Sequence, residues 1–324
     1  MGVTRYKPHP VTYQKTTHAG DVYPTHWFQH IADSEGPEKR YLWYTNAQYL
    51  IKLQSITSIA SEIFISRLGE LMQVPTVHND MAYIMRGDYT TNLVTTSVKE
   101  KMDGYTLDDP SAYIWRADHE PRRVLYDFSI NEDDYDGIEL YQLKKLLGRY
   151  FHRTSSQFKD DFVGFNFFSE FIRQEDHAEL NNVPVWIPRD APLASEQYIM
   201  GGAYDFAACE TFDAACALFD GKVDEEKFAK IFNKFINPKN LLWAIKNHPK
   251  ATQEFMDKLD SLQGSGLDKI CNISALNDFT KGHTDGQILY TELTGSALAE
   301  GFRIRAKALQ EQFARAKKGV GKSI

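Results

Sequence analysis

The chain has 324 residues, enough to bury two sizeable cores. Its 42% hydrophobic and 25% charged content is that of a globular protein, and 20 Phe with 17 Tyr argue against extensive disorder. A net charge of −7 removes any global attraction to nucleic acid, and Cys209, Cys216 and Cys271 are too few for a disulfide framework or a structural zinc site.

MGVTRYKPHPVTYQ lacks the apolar region of a secretory signal, and Gly2 lacks a Ser or Thr at position 6 for myristoylation. No run of about 18 apolar residues offers a membrane span, so cytosolic residence is expected, with delivery into another cell left open. Tyr41–Leu53 (YLWYTNAQYLIKL) holds two aromatic and branched, strand-like runs on either side of Thr45-Asn46. Ser58–Leu71 predicts an amphipathic helix through Ile59, Ile63, Leu68 and Leu71, with Ser58 placed to cap it and Pro75 forbidding continuation. Strands are expected at Met81–Met85 and Asn92–Val98, then a connection over Lys101–Asp109 with a glycine-centred turn.

Residues 111–137, polar and irregular, read as an insertion or an excursion between lobes. Helical patterning follows over Glu139–Phe151, Lys159–Arg173, Cys209–Phe219, Glu225–Phe235, Asn240–His248, Glu254–Leu262 and 295–317. A β-rich first third and a helical remainder predict an α+β bilobal layout, divided at 1–104 and 105–324. The basic stretch Arg303–Lys322 reads as a solvated helix, with a nucleic-acid or membrane tail as the alternative, and the terminal GVGKSI as a frayed tail.

Two segments suggest a chemistry. In FSEFIRQEDHAELNN (168–182), Asp176 stands five residues before Asn181; YIMGGAYDF (198–206) places Asp205 at the end of a small-residue run. An acid, an amide and a later second acid is the order in which protein-kinase-like phosphotransferases set their base and metal ligands. Asp176 would accept the proton of an attacking hydroxyl, and Asn181, or Asn182 if the loop is one residue longer, would offer an amide oxygen to Mg²⁺. Asp205 would be the other metal ligand, the small residues Gly201, Gly202 and Ala203 allowing close approach of a nucleotide; as a plainer use, it caps the next helix. A second YDF, at Tyr126–Phe128, precedes the proposed loop and is treated as coincidence.

Lys52 ends the apolar strand YLIKL, where an unpaired buried charge costs roughly 3–5 kcal/mol. Glu62, ten residues on, is its expected partner if the helix packs on the sheet; otherwise Lys52 snorkels and Glu62 is solvated. The connection Ser97–Gly104 (SVKEKMDG) offers backbone groups to a purine edge, with Lys101 and Met102 as candidate nucleotide contacts.

These parts, in this order, resemble the HipA-like family of protein kinases. The resemblance rests on YLIK around Lys52, SEIFISRLGELMQVPTV with Glu62, the DHAELNN loop and GGAYDF, and covers roughly residues 15–250. It implies a bilobal protein-kinase-like fold with a β-rich nucleotide-binding lobe and a helical lobe carrying the catalytic loop. It also implies ATP and Mg²⁺ as cofactors and a protein phosphorylated on Ser or Thr; from charge and composition, neither nucleic acid nor membrane is expected as a partner. By the same resemblance Lys52 binds the α/β-phosphates, Glu62 positions it, Asp176 is the base, and Asn181 with Asp205 hold the metal. Thr17–Phe28 stands at the phosphate loop, with Gly20 its only glycine and no lysine. His177 follows Asp176 by one position rather than two, and Leu180 replaces a polar residue. Such departures admit a pseudokinase-type module that binds nucleotide or protein without transfer, and a lipid or small-molecule kinase is a third reading. His18, His26, His30, His152, His177, His248 and His283 form no zinc-hydrolase pattern, and no nucleophile elbow or Walker loop is present.

Overall fold

The computed structural model describes residues 9–12, 43–45, 49–53, 56–85, 91–98, 102–108, 144, 147, 151–174, 185–191, 194–203, 206, 209–219, 225–232, 238–271 and 292–320. Extended segments build a mixed sheet from β1 (His9–Thr12), β2 (Trp43–Thr45), β3 (Tyr49–Leu53), β4 (Asn79–Met85) and β5 (Thr91–Val98). Their order is β1-β4-β5-β3-β2, and every neighbour is antiparallel except β1 beside β4.

Between β3 and β4 runs α1 (Ile56–Met72), whose Ile59, Ile63, Phe64, Leu68 and Met72 are buried at helical spacing. It begins two residues before the expected start, so Ser58 lies inside the first turn and is not the cap. Gln73 ends α1 in the left-handed region (φ 55°); its N–H reaches Glu70 O at 3.2 Å and the Val74 N–H reaches Gly69 O at 2.9 Å. That pair of bonds is a Schellman stop, and Pro75 prevents any restart.

The expected connection after β5 contains a strand instead. A turn at Asp103-Gly104 leads into β6 (Tyr105–Asp108), which pairs with β7 (Val185–Pro188), and β8 (Ile199–Met200) completes a three-stranded antiparallel sheet. A four-residue strand whose partner lies so far along the chain has almost no local signature.

Between β6 and β7 lies α2 (Ser156–Ile172), capped by Ser155, whose Oγ accepts the Phe158 N–H at 3.1 Å. Further helices are α3 (Glu210–Phe219), α4 (Glu225–Phe232), α5 (Pro238–Asn247), α6 (Pro249–Lys258), α7 (Ser265–Cys271) and α8 (Glu292–Val320). The basic stretch Arg303–Lys322 reads as solvated, yet within α8 Arg305, Ala306, Leu309 and Phe313 are buried along the same face as Leu298 and Phe302. The Phe302 ring lies 5.8 Å from Phe64 of α1, 5.3 Å from Phe171 of α2 and 5.4 Å from Phe232 of α4, so α8 closes one aromatic core around all three helices. Among the described residues no helix is long and apolar enough to cross a membrane.

Candidate active site

Helix α1 is apolar on its buried side except for three small or acidic polar residues, Ser61, Glu62 and Ser66, each at most 3% exposed. Buried polar groups of this kind must be satisfied locally. Glu62 Oε2 accepts the Phe206 backbone N–H at 3.0 Å and Asn79 Nδ2 at 3.1 Å. Ser61 Oγ donates to Phe206 O at 2.6 Å, so adjacent residues of α1 take both backbone groups of Phe206. Ser66 Oγ donates to Val77 O at 2.9 Å and accepts the Asn79 N–H at 3.1 Å, fixing the start of β4 to the same helix.

The exits of the two capped helices hold the segment around Phe206 from either side. After α1, the Ala203 N–H donates to Pro75 O at 2.9 Å and the Val77 N–H to Ala203 O at 2.8 Å, making a parallel bridge between Thr76 and Ala203. Helix α2 ends on Arg173 (φ 56°, ψ 55°) in a second Schellman stop, with the Arg173 N–H on Glu170 O at 3.3 Å and the Gln174 N–H on Ser169 O at 3.1 Å. Gln174 then forms an antiparallel bridge with Cys209, and the Glu210 N–H donates to Arg173 O at 2.9 Å. The Phe206 ring packs edge-on against Phe168 of α2 at 6.3 Å.

Two sequence segments are thereby joined at both ends. Residues 175–184 run from Gln174, bridged to Cys209, to Val185, paired with Met200. Residues 201–208 run between those same two junctions. The described flanks of the Asp176 segment and of the Asp205 segment are therefore immediate neighbours.

Glu62 lies buried at the centre of these contacts. Lys52 stands in β3 in register with Thr95 of β5, which pairs in turn with Met81 of β4. Asn79, whose amide bonds Glu62, opens the same strand β4 two residues before Met81. Met102 is half-buried, and its carbonyl accepts the Tyr105 N–H at 3.1 Å across the Asp103-Gly104 turn. Gly20, Lys101, Asp176, Asn181 and Asp205 lie outside the described residues, as do His177, Leu180 and Asn182.

Several positions carrying the geometry have no motif. Asn79 opens an ordinary strand, and only the serines interrupting the apolar face of α1 hint that something polar packs there. Behind the α2 exit, Arg173 Nε pairs with Glu210 Oε2 at 2.8 Å. Glu170 Oε1 is sealed from solvent with no hydrogen-bond partner among the described residues, although part of the residue's surface stays open. Burial pushes its carboxyl up to about 8, against the pull of the Arg305 and Arg173 guanidiniums.

The geometry defines an α+β protein in which a buried helix carboxylate anchors a glycine-rich segment beside the exit of a capped helix. The chain is similar in structure to the Helicobacter pylori proinflammatory kinase CtkA, with 16% sequence identity over 86% of this chain and 94% of that one, at a TM-score of 0.48. It is also similar to a chain of the Shewanella oneidensis MR-1 toxin–antitoxin complex of HipA, HipB and operator DNA, with 10% identity over 92% of this chain and 73% of that one, at a TM-score of 0.49. No protein-family model and no curated protein matches the sequence.

Proposed function

We propose that the protein is an ATP- and Mg²⁺-dependent phosphotransferase of bilobal, kinase-like layout, acting on Ser or Thr of a protein. The observation that carries this is the fastening of Phe206 to Ser61 and Glu62, combined with the junctions that make the flanks of the Asp176 and Asp205 segments neighbours. Phosphoryl transfer needs little covalent help from a protein and depends on positioning around a polyanion. A helix acid that fixes the residue next to a metal-binding aspartate supplies such positioning.

In this reading Lys52 binds the α/β-phosphates and Glu62 holds its ammonium group. Asp176 orients the attacking hydroxyl and takes its proton as the new P–O bond forms and the γ-phosphoryl leaves ADP. The donor chemistry fits magnesium, since Asp205 offers a carboxylate and Asn181 an amide oxygen, the hard ligands that this ion takes beside phosphates. When bound, the ion would neutralise charge on the phosphate oxygens. Gly20 would let the backbone approach the phosphates, while Lys101 and Met102 would border the nucleotide.

Transfer of labelled γ-phosphate from ATP, with and without Mg²⁺, tests the proposal in the intact protein, Asp176→Ala and Asp205→Ala. Loss of transfer in both folded variants supports it. Equal, negligible transfer in all three would replace it with a binding module that performs no chemistry. A non-hydrolysable ATP analogue with Mg²⁺ should also raise the thermal midpoint, since a ligand at 100 times its Kd stabilises by about 2.7 kcal/mol.

A further inference from the structure

We infer that Arg305 is a positioning residue for the segment carrying Asp176, an inference that rests on the phosphotransferase reading. A helix end leaves carbonyls without intrahelical partners, and a buried end must find donors for them. At the end of α2 the accounting closes completely. Ser169 O accepts the Gln174 N–H, Glu170 O accepts the Arg173 N–H and Arg305 Nη2 at 2.8 Å, and Phe171 O accepts Arg305 Nε at 2.7 Å. Ile172 O accepts Thr211 Oγ1 at 2.7 Å, and Arg173 O accepts the Glu210 N–H.

Arg305 supplies side-chain donors to two of these five carbonyls, and its Nη1 reaches Phe232 O, the last residue of α4, at 3.0 Å. It is 2% exposed, and its guanidinium carbon stands 5.9 Å from the centroid of the Phe171 ring. Burying a cation is costly, and an apolar side chain of similar size would serve cohesion equally well. What an apolar side chain lacks is direction. A planar guanidinium offers several donors in a rigid fork, whereas a lysine ammonium is a single mobile point. The partial negative charge at two helix C-termini suits a cation there. Arg305 thus fixes the angle at which the chain leaves Phe171, three residues before the Gln174 bridge to Cys209 and five before Asp176.

The test compares Arg305→Lys and the gentler Thr211→Val, which removes the hydroxyl from Ile172 O, with Arg303→Met as control. Arg303 lies on the same helix but pairs with Asp268 at 2.7 Å on the surface. Each is assayed for kcat, for KM of ATP, and for hydrogen–deuterium exchange in peptides spanning 175–184, with circular dichroism checking the fold. For Arg305→Lys the expected result is a loss of about 10-fold or more in kcat with KM changed less than about twofold, since small misplacement of a catalytic group is that costly. Thr211→Val should show the same split to a smaller degree, and both should speed exchange at 175–184 but not within α1. The control should change neither. Unchanged kcat and unchanged exchange in folded Thr211→Val and Arg305→Lys would overturn the inference, as would kcat falling only in proportion to the folded fraction. Absence of transfer by the parent protein would instead overturn the phosphotransferase reading, and exchange at 175–184 would then decide alone whether Arg305 positions the segment.

Discussion

The Glu62 carboxylate accepts the backbone N–H of Phe206 at 3.0 Å across 144 residues of chain, and the same oxygen accepts the Asn79 amide at 3.1 Å. A single atom therefore joins α1, β4 and the segment that follows the small-residue run. Glu62→Ala would take the acceptor from the buried Phe206 N–H and leave the Asn79 amide only its longer contact, 3.5 Å, to the backbone O of residue 62, a loss of about 1–3 kcal/mol or more. Urea unfolding should show that loss in Glu62→Ala and a clearly smaller one in Glu62→Gln, which keeps an acceptor oxygen. If Glu62 holds the Lys52 ammonium group as proposed, Glu62→Gln should nevertheless lose most transfer in the labelled-ATP assay, because a neutral amide cannot pair with that charge. Equal midpoints for Glu62→Ala and the parent would deny the anchoring role.

Gly69 faces the bridge that ties α1 to Ala203. A Cβ there would lie 2.7 Å from Thr76 Oγ1 and closer still to Thr76 Cγ2, and Thr76 is itself held by its bond to Ser66 O at 3.2 Å. Alanine improves helix propensity by up to about 1 kcal/mol, but overpacking against an anchored neighbour costs about 1–3 kcal/mol. Gly69→Ala should lower stability overall, and Gly69→Ala with Thr76→Ala should recover most of it in a double-mutant cycle. Additive losses would show that the two positions do not meet.

Gly164 and Gly301 make a matched pair on α2 and α8. A Cβ at Gly164 meets nothing within 4 Å, whereas one at Gly301 lies 2.7 to 2.8 Å from atoms of the Phe232 ring. Gly164→Ala should stabilise the protein by about 0.5–1 kcal/mol through reduced backbone entropy. Gly301→Ala should destabilise it by about 1–3 kcal/mol through overpacking. Thermal midpoints moving in the same direction would contradict this packing of α8 on α4.

Local signals were legible where burial is periodic. The spacing of Ile59, Ile63 and Leu68 announces α1, and the pairs of runs around residues 41–53 and 81–98 announce four strands of the first sheet. What the chain alone conceals is long-range pairing. Tyr105–Asp108 looks like a loop until Val185–Pro188 is beside it, and β1 finds its parallel partner at Asn79–Met85. Arg305 looks like one of many basic residues on a solvated helix, because nothing nearby in sequence reveals that two helix ends converge on it. For the candidate site, the apolar strand and helix around Lys52 and Glu62 suggested a shared region. Ser61 was silent because its bond goes to a main-chain carbonyl, and Asn79 because its amide meets Glu62 across 17 residues of chain; neither contact follows a residue spacing.

Glu170 gives stability a pH dependence whose sign is fixed by its surroundings. Burial raises its pKa from the ordinary 4.5 to about 8, with Arg305 first and Arg173 second opposing the rise. Between those two values the folded state holds a proton on this carboxyl that the unfolded chain has released. The contribution is therefore fully present below about pH 4.5, is lost as pH rises through about 8, and is flat beyond that. Glu170→Gln stays neutral throughout and leaves the backbone carbonyl of residue 170 available to Arg305. Urea midpoints taken at intervals from about pH 5 to about pH 8.5 should fall more steeply in the parent than in Glu170→Gln, the variant being the more stable at the alkaline end. Parallel profiles would mean that Glu170 is ionised in the folded protein, its charge satisfied by Arg305 and Arg173.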